Sequence, residues 1–364
     1  MTGALFLPNL EGGGGERTTL TLAGELLARG RSVELVVCRA VGPLRAEVPA
    51  GLRVVDLGAS RARTALPRLI RYVRARRPDF LMPTIEHASV LSLLARTLAR
   101  TKTPVIVRVA SMPSEMEAAA VTPAQRMTVS LARRLYRRAD ALVACSSGMA
   151  DDLAAFLGVD PAQIRMLPNP TPTHIIGRSA RAPLSHPWFG AGEPPVILAV
   201  CSLQPKKNLP MLLDAFTAVR RRRAARLVIL GNGPERRGLE DQVERLGLGG
   251  SVALPGFDLN PYRYMSRCSV FALASWREGL PGVLIEALVC GANVVATDCR
   301  SGPREILDGG RFGRLVPTGD AAAFAEGLIA ALDDPVTPPP ASWAPYTSER
   351  AAAGYEELID RIAS

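Results

Sequence analysis

Two carboxylates open the chemical reading of this chain. The segment Trp276-Arg277-Glu278-Gly279-Leu280-Pro281-Gly282-Val283-Leu284-Ile285-Glu286-Ala287 puts seven residues between Glu278 and Glu286. It follows an apolar run at 270–274, so Glu278 falls in a strand-to-helix turn. Pro281 suits the first turn of the helix, where no N–H is needed. Glu286 then lies one to two turns inside. Eight helical residues rise roughly 12 Å. Between the carboxylates lie the free N–H groups of a helix N-terminus, and such groups attract phosphate. The pattern fits a ligand with hydroxyls at both ends and a diphosphate between them. Taken alone, a surface glutamate and a helix glutamate at this spacing are common.

Five loops share this style. Ser202-Leu203-Gln204-Pro205-Lys206-Lys207-Asn208 follows an apolar run at 196–201 and opens a helix, so a lysine there could meet a phosphate. Gly12-Gly13-Gly14-Gly15-Glu16-Arg17 joins the first strand to the first helix; glycine lets backbone approach a ligand closely. A flexible turn or a dinucleotide loop would look the same. Gly231-Asn232-Gly233-Pro234-Glu235 and Pro255-Gly256-Phe257 each follow a strand signal. Ser301-Gly302-Pro303-Arg304-Glu305 follows another, where Glu305 could equally be a structural cap.

With the segment EGLPGVLIEALVCGANVVATDCRSGPREIL in view, the chain resembles the GT-B retaining glycosyltransferases of family 4, whose hallmark is two glutamates separated by seven residues. The resemblance covers nearly the whole chain. It implies catalytic roles for Glu278 and Lys207. It implies a nucleotide-sugar donor, UDP-sugar before GDP-mannose, held by Glu286, Ser202, Lys206, Gly279, Leu280, Pro281, Gly231, Gly233, Gly256, Phe257 and Glu305. It sets Gly13, Gly14 and Gly15 toward the acceptor and the donor phosphates. His87, after an earlier strand, could face the same cleft or simply start a helix. The transferred unit would be a hexose or N-acetylhexosamine and the acceptor a glycan, a lipid-linked sugar or a small molecule. Retention and metal independence are implied too. No Asp-x-Asp element follows a strand, no metal-spaced His/Asp cluster is present, and no cofactor is expected. Two departures stand out. Ser202 occupies the position where the family has an arginine for the diphosphate, and a serine offers one neutral donor in place of a bidentate cation. The family's histidine after the strand near 105–109 is absent, with Ala110 or Ser111 in its place.

These residues need a scaffold. Strand signals at 4–8, 32–38, 53–57, 80–83, 105–109 and 141–144 alternate with helical stretches at 17–29, 67–75, 89–99 and 123–139. Such alternation predicts a parallel sheet covered by helices. Leu167-Pro168-Asn169-Pro170-Thr171-Pro172 and the aperiodic stretch 174–195 read as a linker. Alternation restarts with strands at 195–200, 225–230, 252–254, 270–274 and 294–296 and helices at 209–219, 234–246 and 283–289. The expected fold class is α/β, GT-B: two Rossmann-like doubly wound domains facing a central cleft, since ligands bind at the carboxyl ends of such strands. The domains are set at 1–172 (acceptor side), 173–344 (donor side) and 345–364. The last segment is a helix, capped by Ser348, that returns to the first domain.

Composition agrees with this scale: 364 residues, 48% hydrophobic. Net charge is +10, and all of it lies in residues 1–180, with 24 Lys+Arg against 14 Asp+Glu; residues 181–364 balance at 20 and 20. Arginine-rich helices at 67–77 and 133–138 suggest an anionic membrane surface against the first domain. No nucleic-acid motif accompanies the charge. Six scattered cysteines read as small buried hydrophobes in a reduced compartment. No apolar run reaches the ~18 residues of a membrane span, and no basic leader precedes the first strand. The expected location is the cytoplasm, or the inner face of the membrane. Two alternatives remain: a non-catalytic nucleotide-sugar-binding relative, or an oxidoreductase using the glycine loop. The latter would need NADP, because Val37-Cys38-Arg39 supplies no acidic residue for NAD.

Overall fold

The computed structural model describes residues 2–11, 13–60 and 62–363; side chains at 62, 63 and 363 are outside that description, as is Gly12 of the glycine run. The chain divides into two compact units, Met1–Thr171 with Tyr346–Ser364, and Pro172–Pro345. Each is an α/β layer structure built on parallel strands.

Unit 1 carries β1 (Thr2–Leu7), β2 (Ser32–Val37), β3 (Arg53–Asp56), β4 (Leu81–Pro83), β5 (Ile106–Arg108), β6 (Ala141–Ala144) and β7 (Ile164–Met166). Its sheets run β3-β2-β1-β4 and β5-β6-β7, and isolated bridges at Leu81–Val105 and Thr84–Arg108 join them. The helices are α1 (Gly14–Ala28), α2 (Ala62–Arg76), α3 (Glu86–Ala99), α4 (Pro113–Ala118), α5 (Pro123–Leu135) and α6 (Ser147–Leu157). Strands covered on both faces read as continuous apolar runs. Ala4, Leu5, Phe6 and Leu7 of β1 are accordingly fully buried. Local signals set the ends: Thr122 and Gln125 form a capping box at α5, and Ser146 caps α6, which closes on the left-handed Gly158.

The C-terminal helix Ser348–Ala363 belongs to unit 1. Its Ala352, Tyr355, Leu358 and Ile359 join the core formed by Leu5, Leu22, Leu35 and their neighbours. Thr347, not Ser348, caps it: the Arg350 N–H donates to Thr347 Oγ1 at 3.3 Å, while Ser348 is the first helical residue and is buried.

Unit 2 is one six-stranded parallel sheet: β8 (Val196–Val200), β9 (Arg226–Leu230), β10 (Val252–Gly256), β11 (Val270–Leu273), β12 (Val294–Thr297) and β13 (Arg314–Val316), in the order β10-β9-β8-β11-β12-β13. Its helices are α7 (Thr173–Ser179), α8 (Leu209–Arg222), α9 (Arg236–Arg245), α10 (Tyr262–Met265), α11 (Gly282–Val289), α12 (Pro303–Ile306) and α13 (Ala321–Asp333). Strand order reverses between β8 and β11, which makes that gap the topological switch point.

Several local expectations need correction. Part of the expected linker is α7, which takes in His174. α2 starts five residues before Pro67, so that proline lies inside the helix. Pro281 is the residue before α11, in extended conformation, and not in its first turn. The basic helices are also less free than their composition suggests. Arg68 donates to the Leu57 carbonyl, Arg74 to Leu98, Arg76 to Glu34, Arg133 to Glu117 and Arg137 to Leu157. Arg71, Arg77, Arg134 and Arg138 make no such contact among the described residues. All six cysteines are free thiols, and Cys38, Cys145 and Cys299 are buried.

Candidate functional site

In unit 2 the switch point brings together two of the charged residues singled out above. Lys207 lies in the turn after β8, and Glu278 in the turn after β11. The Lys207 ammonium donates to Glu278 Oε1 at 2.6 Å. Both side chains are largely buried, 13% and 9% exposed, so this is no ordinary surface ion pair. Ser275 Oγ donates to the same oxygen, also at 2.6 Å. Both donors thus converge on Oε1, and neither bonds to Oε2. The two turns are also tied by backbone, since the Trp276 N–H donates to the Lys206 carbonyl at 2.8 Å.

The loops around this pair interlock. The Leu203 N–H donates to the Asn232 carbonyl at 2.9 Å, and the Glu235 N–H returns to the Leu203 carbonyl at 3.0 Å. Gly231 adopts φ +136°, and a Cβ there would sit 1.8 Å from the Cys201 carbonyl oxygen. Only glycine permits that approach. The Gly231 N–H donates to the Gly256 carbonyl at 2.8 Å, which brings the turn after β10 into the same assembly. Gly233 lies against the backbone of Leu203. Phe257 is exposed beyond Gly256.

Glu278 is braced on both sides. Thr297 Oγ1 donates to the Ser275 carbonyl at 2.7 Å, and Ser301 Oγ to the Gly279 carbonyl at 2.8 Å. Gly302, at φ +92°, packs so closely that a Cβ would meet Pro281 Cδ at 2.4 Å. Leu280 and Pro281 are buried and lead into α11, whose N-terminus no side chain caps. Its first N–H groups and the helix dipole favour an anion there. Glu286 is the fifth residue of this helix, half-buried. Ser202, Lys206 and Glu305 are exposed.

Two thiols adjoin the pair. Burial pushes Cys201 up to about 12, with Glu278 adding to the rise and Lys207 opposing it. Burial and then Glu278 push Cys299 up to about 11. Both stay protonated at neutral pH, so neither adds charge. Trp276 is 47% exposed, and its indole packs over Gly319 in the turn after β13. Among the described residues, no group of three His, Cys, Asp or Glu side chains could hold a metal ion.

Unit 1 gathers a separate set. Gly13 precedes α1, which begins at Gly14, and no side chain caps that end. A Cβ on Gly15 would meet Thr84 at 3.3 Å, with Ile85 and Ala110 just beyond. Ile85 holds φ +74° just before α3, a strained value for a β-branched residue. His87 follows on the first turn of α3. It lines a cavity of about 160 Å³ with Asn9, Glu11, Arg39 and Ser60, over a floor that includes Phe6 and Leu91. The imidazole is exposed, yet crowding by its surroundings lowers its pKa against the pull of Glu86 and Glu16.

Sequence reasoning missed Ser275, Thr297 and Trp276, and it passed over Ser301 in favour of Glu305. The strand-end position of Ser275, three residues before a candidate carboxylate, was the available signal.

Residues 13–170 match the model of the glycosyl transferase 4-like domain, and residues 186–350 that of glycosyl transferases group 1. The chain is 36% identical over 200 residues to the N-acetylgalactosamine-N,N'-diacetylbacillosaminyl-diphospho-undecaprenol 4-alpha-N-acetylgalactosaminyltransferase of Campylobacter jejuni, covering 55% of this chain and 53% of that protein. It is 29% identical over 193 residues to the lipopolysaccharide core biosynthesis glycosyltransferase LpsE of Rhizobium meliloti, covering 53% and 54%. The matched stretches thus span about half the length of these relatives. The crystal structure of HepE from Anabaena in complex with UDP-glucose superposes with a TM-score of 0.73 over 100% of this chain and 97% of that one. At 19% identity, that likeness bears on the fold.

Proposed function

We propose, from the premise that this chain is a GT-B, glycosyltransferase family 4-like protein, that it transfers a hexosyl or N-acetylhexosaminyl unit from a nucleotide sugar to a glycan or lipid-linked acceptor with retention of configuration. The contact of Lys207 with Glu278 across the switch point carries this reading. A lysine beside an uncapped helix N-terminus can neutralise a diphosphate, both as bound and as it departs. Glu278 Oε2 is open to accept hydrogen bonds from sugar hydroxyls. Glu286, farther along α11, suits the hydroxyls of the ribose. The diphosphate's charge is met by Lys207 and the α11 N-terminus, without a metal.

UDP-sugar is the first donor candidate, because a protein of the same fold binds UDP-glucose. GDP-mannose is the second. The acceptor belongs on unit 1, where the α1 N-terminus and the His87 cavity offer hydroxyl-binding groups. A lipid-borne acceptor fits an enzyme working at the cytoplasmic face of a membrane. Exposed Val121 and Met127 lie in the same stretch of unit 1 as exposed Arg134 and Arg138, and each such arginine would gain about 1 kcal/mol near anionic lipid.

The test is a thermal-shift screen of the purified chain against UDP, GDP, ADP and their sugars, followed by transfer assays with the donor that binds. Saturating donor should raise the melting temperature by mass action. No shift with any nucleotide would overturn the proposal. Exposed Ser202, in the family's arginine position, favours a second reading as a non-catalytic binder. Donor binding with neither transfer nor donor hydrolysis would decide for it.

A further inference from the structure

Glu278 is held more elaborately than a carboxylate that merely pairs with a lysine requires. Three hydroxyls converge on the turn that carries it. Ser275 Oγ donates to Oε1 itself at 2.6 Å. Thr297 Oγ1, from the neighbouring strand β12, donates at 2.7 Å to the carbonyl of Ser275. Ser301 Oγ donates at 2.8 Å to the carbonyl of Gly279, on the other side of Glu278. All three residues are buried. Buried hydroxyls with satisfied hydrogen bonds fix geometry, because each alternative arrangement leaves a polar group unpaired.

The arrangement is asymmetric. Lys207 and Ser275 both donate to Oε1, and neither donates to Oε2. A lysine that turns toward a bound diphosphate would leave Oε1 with Ser275 as its remaining donor. Ser275 would then be the group that keeps the carboxylate in the same rotamer. With Oε1 retained, Oε2 stays available to a hydroxyl of the sugar.

We infer that Ser275 is a positioning residue for Glu278: it anchors Oε1 when the donor diphosphate draws Lys207 away, and so fixes which sugar hydroxyls Oε2 can accept. This rests on the donor-site reading given above. The role concerns the sugar half of the donor and not the nucleotide half, which separates it from a general contribution to folding.

The experiment compares wild type, Ser275→Ala and Ser275→Thr as full-length chains. Calorimetry measures affinity for UDP and UDP-glucose, and in parallel for GDP and GDP-mannose. Steady-state assays give kcat and KM with UDP-glucose, with its C4 epimer UDP-galactose, and with GDP-mannose. Losing one hydrogen bond to a charged group corresponds to about tenfold. Ser275→Ala should therefore bind the free nucleotide within twofold of wild type, and lose about tenfold in affinity for the corresponding nucleotide sugar. Its ratio of kcat/KM between the epimers should fall toward one. Ser275→Thr, which keeps the hydroxyl, should restore most of both. Should the alanine variant fail to fold, Ser275→Cys, nearly isosteric and a weak donor, carries the same comparison. An equal loss for UDP and UDP-glucose would overturn the inference, as would unchanged sugar affinity and epimer ratio. If wild type binds no nucleotide or nucleotide sugar at all, the donor-site reading itself falls.

Discussion

Lys207 and Glu278 share a hydrogen bond in a site that keeps only about a tenth of either side chain in water. Removing one partner leaves the other charged and poorly hydrated. Glu278→Gln should therefore destabilise unit 2 toward the low end of about 3–5 kcal/mol, since some water still reaches the pair. Lys207→Met should behave similarly. The double variant should recover part of the loss, because no orphaned charge remains. Urea denaturation of the three variants closes the cycle; strictly additive losses would mean the pair is not coupled. Exposed Ser202 and Lys206 invite a second substitution. On the proposed donor-site reading, Ser202→Arg sets a guanidinium beside the developing charge of the leaving diphosphate. Preorganised positive charge acts mainly on the transition state, so the gain should appear in kcat. Single groups of this kind reach roughly 100-fold. Less is expected if Lys206, exposed four positions along the same turn, already supplies that charge and repels the new cation. If Lys206 compensates for the missing arginine, Lys206→Ala should cut kcat steeply, and Ser202→Arg should restore it in the double variant. Silence from both substitutions would mean that the diphosphate is held elsewhere.

At the scale of elements, the approach to α11 is the sensitive point. Gly302 holds φ +92° against Pro281 and the Gly279 carbonyl. Gly302→Ala would combine an unfavourable backbone conformation with a close contact, and each is a mechanism for losing about 1–3 kcal/mol. Because the contact falls on the segment between Glu278 and α11, nucleotide-sugar affinity should fall with stability. Denaturation and calorimetry on one preparation check this, and intact affinity in a destabilised variant would disconnect the two. The same segment shows what a sequence can reveal. Glu278, Glu286 and the Lys207 turn were legible because strand-end and helix-start signals lie within a dozen residues of them. The braces on Glu278 were not. Thr297 and Ser301 each lie 22 positions from the residue they hold, and they meet it only because β12 pairs with β11. Trp276 reaches Gly319 across a still longer separation. α13 escaped because its sequence, Ala-rich and apolar on most faces, lacks the polar stripe that marks a helix. β7 and β13 are three residues long and each carries an arginine, and neither lies within a longer apolar run as the equally short β4 and β5 do.

For the whole molecule, charge and chain order carry the remaining consequences. The +10 surplus lies in residues 1–180, and residues 181–364 are neutral overall. Unit 2 itself, Pro172–Pro345, carries 19 Lys+Arg against 16 Asp+Glu, so on the proposed reading a diphosphate there is neutralised chiefly by local groups, Lys207 and the α11 N-terminus. Transfer should accordingly persist in excess EDTA; activity lost to chelator and restored by Mn or Mg would refute this. Chain order has a structural counterpart. The last helix supplies Ala352, Tyr355, Leu358 and Ile359 to the core of unit 1, although unit 2 intervenes in sequence. Burying one large apolar side chain contributes about 1.5–3 kcal/mol. Three such side chains approach the whole stability of a typical domain, about 5–15 kcal/mol. Deleting Tyr346–Ser364 should abolish the cooperative unfolding of unit 1, while the separate core of unit 2 retains its own transition. Scanning calorimetry distinguishes the two, and an unchanged thermogram would show the helix to be dispensable. Acid should loosen the same junction without any mutation. Burial pushes the Glu356 carboxyl up, but hydrogen bonds from Arg29 and Arg31 outweigh it and hold the pKa below the usual range. The hydrogen bond from Arg31 does the same for Asp360. Carboxyls depressed on folding stabilise above their unfolded pKa, near 4, and that contribution disappears as pH falls through the folded values. The unit 1 transition should thus drop on acidification below about pH 4. Glu356→Gln, which removes one of the titrating groups, should flatten that drop, and an equal pH dependence in the variant would remove these contacts from the account.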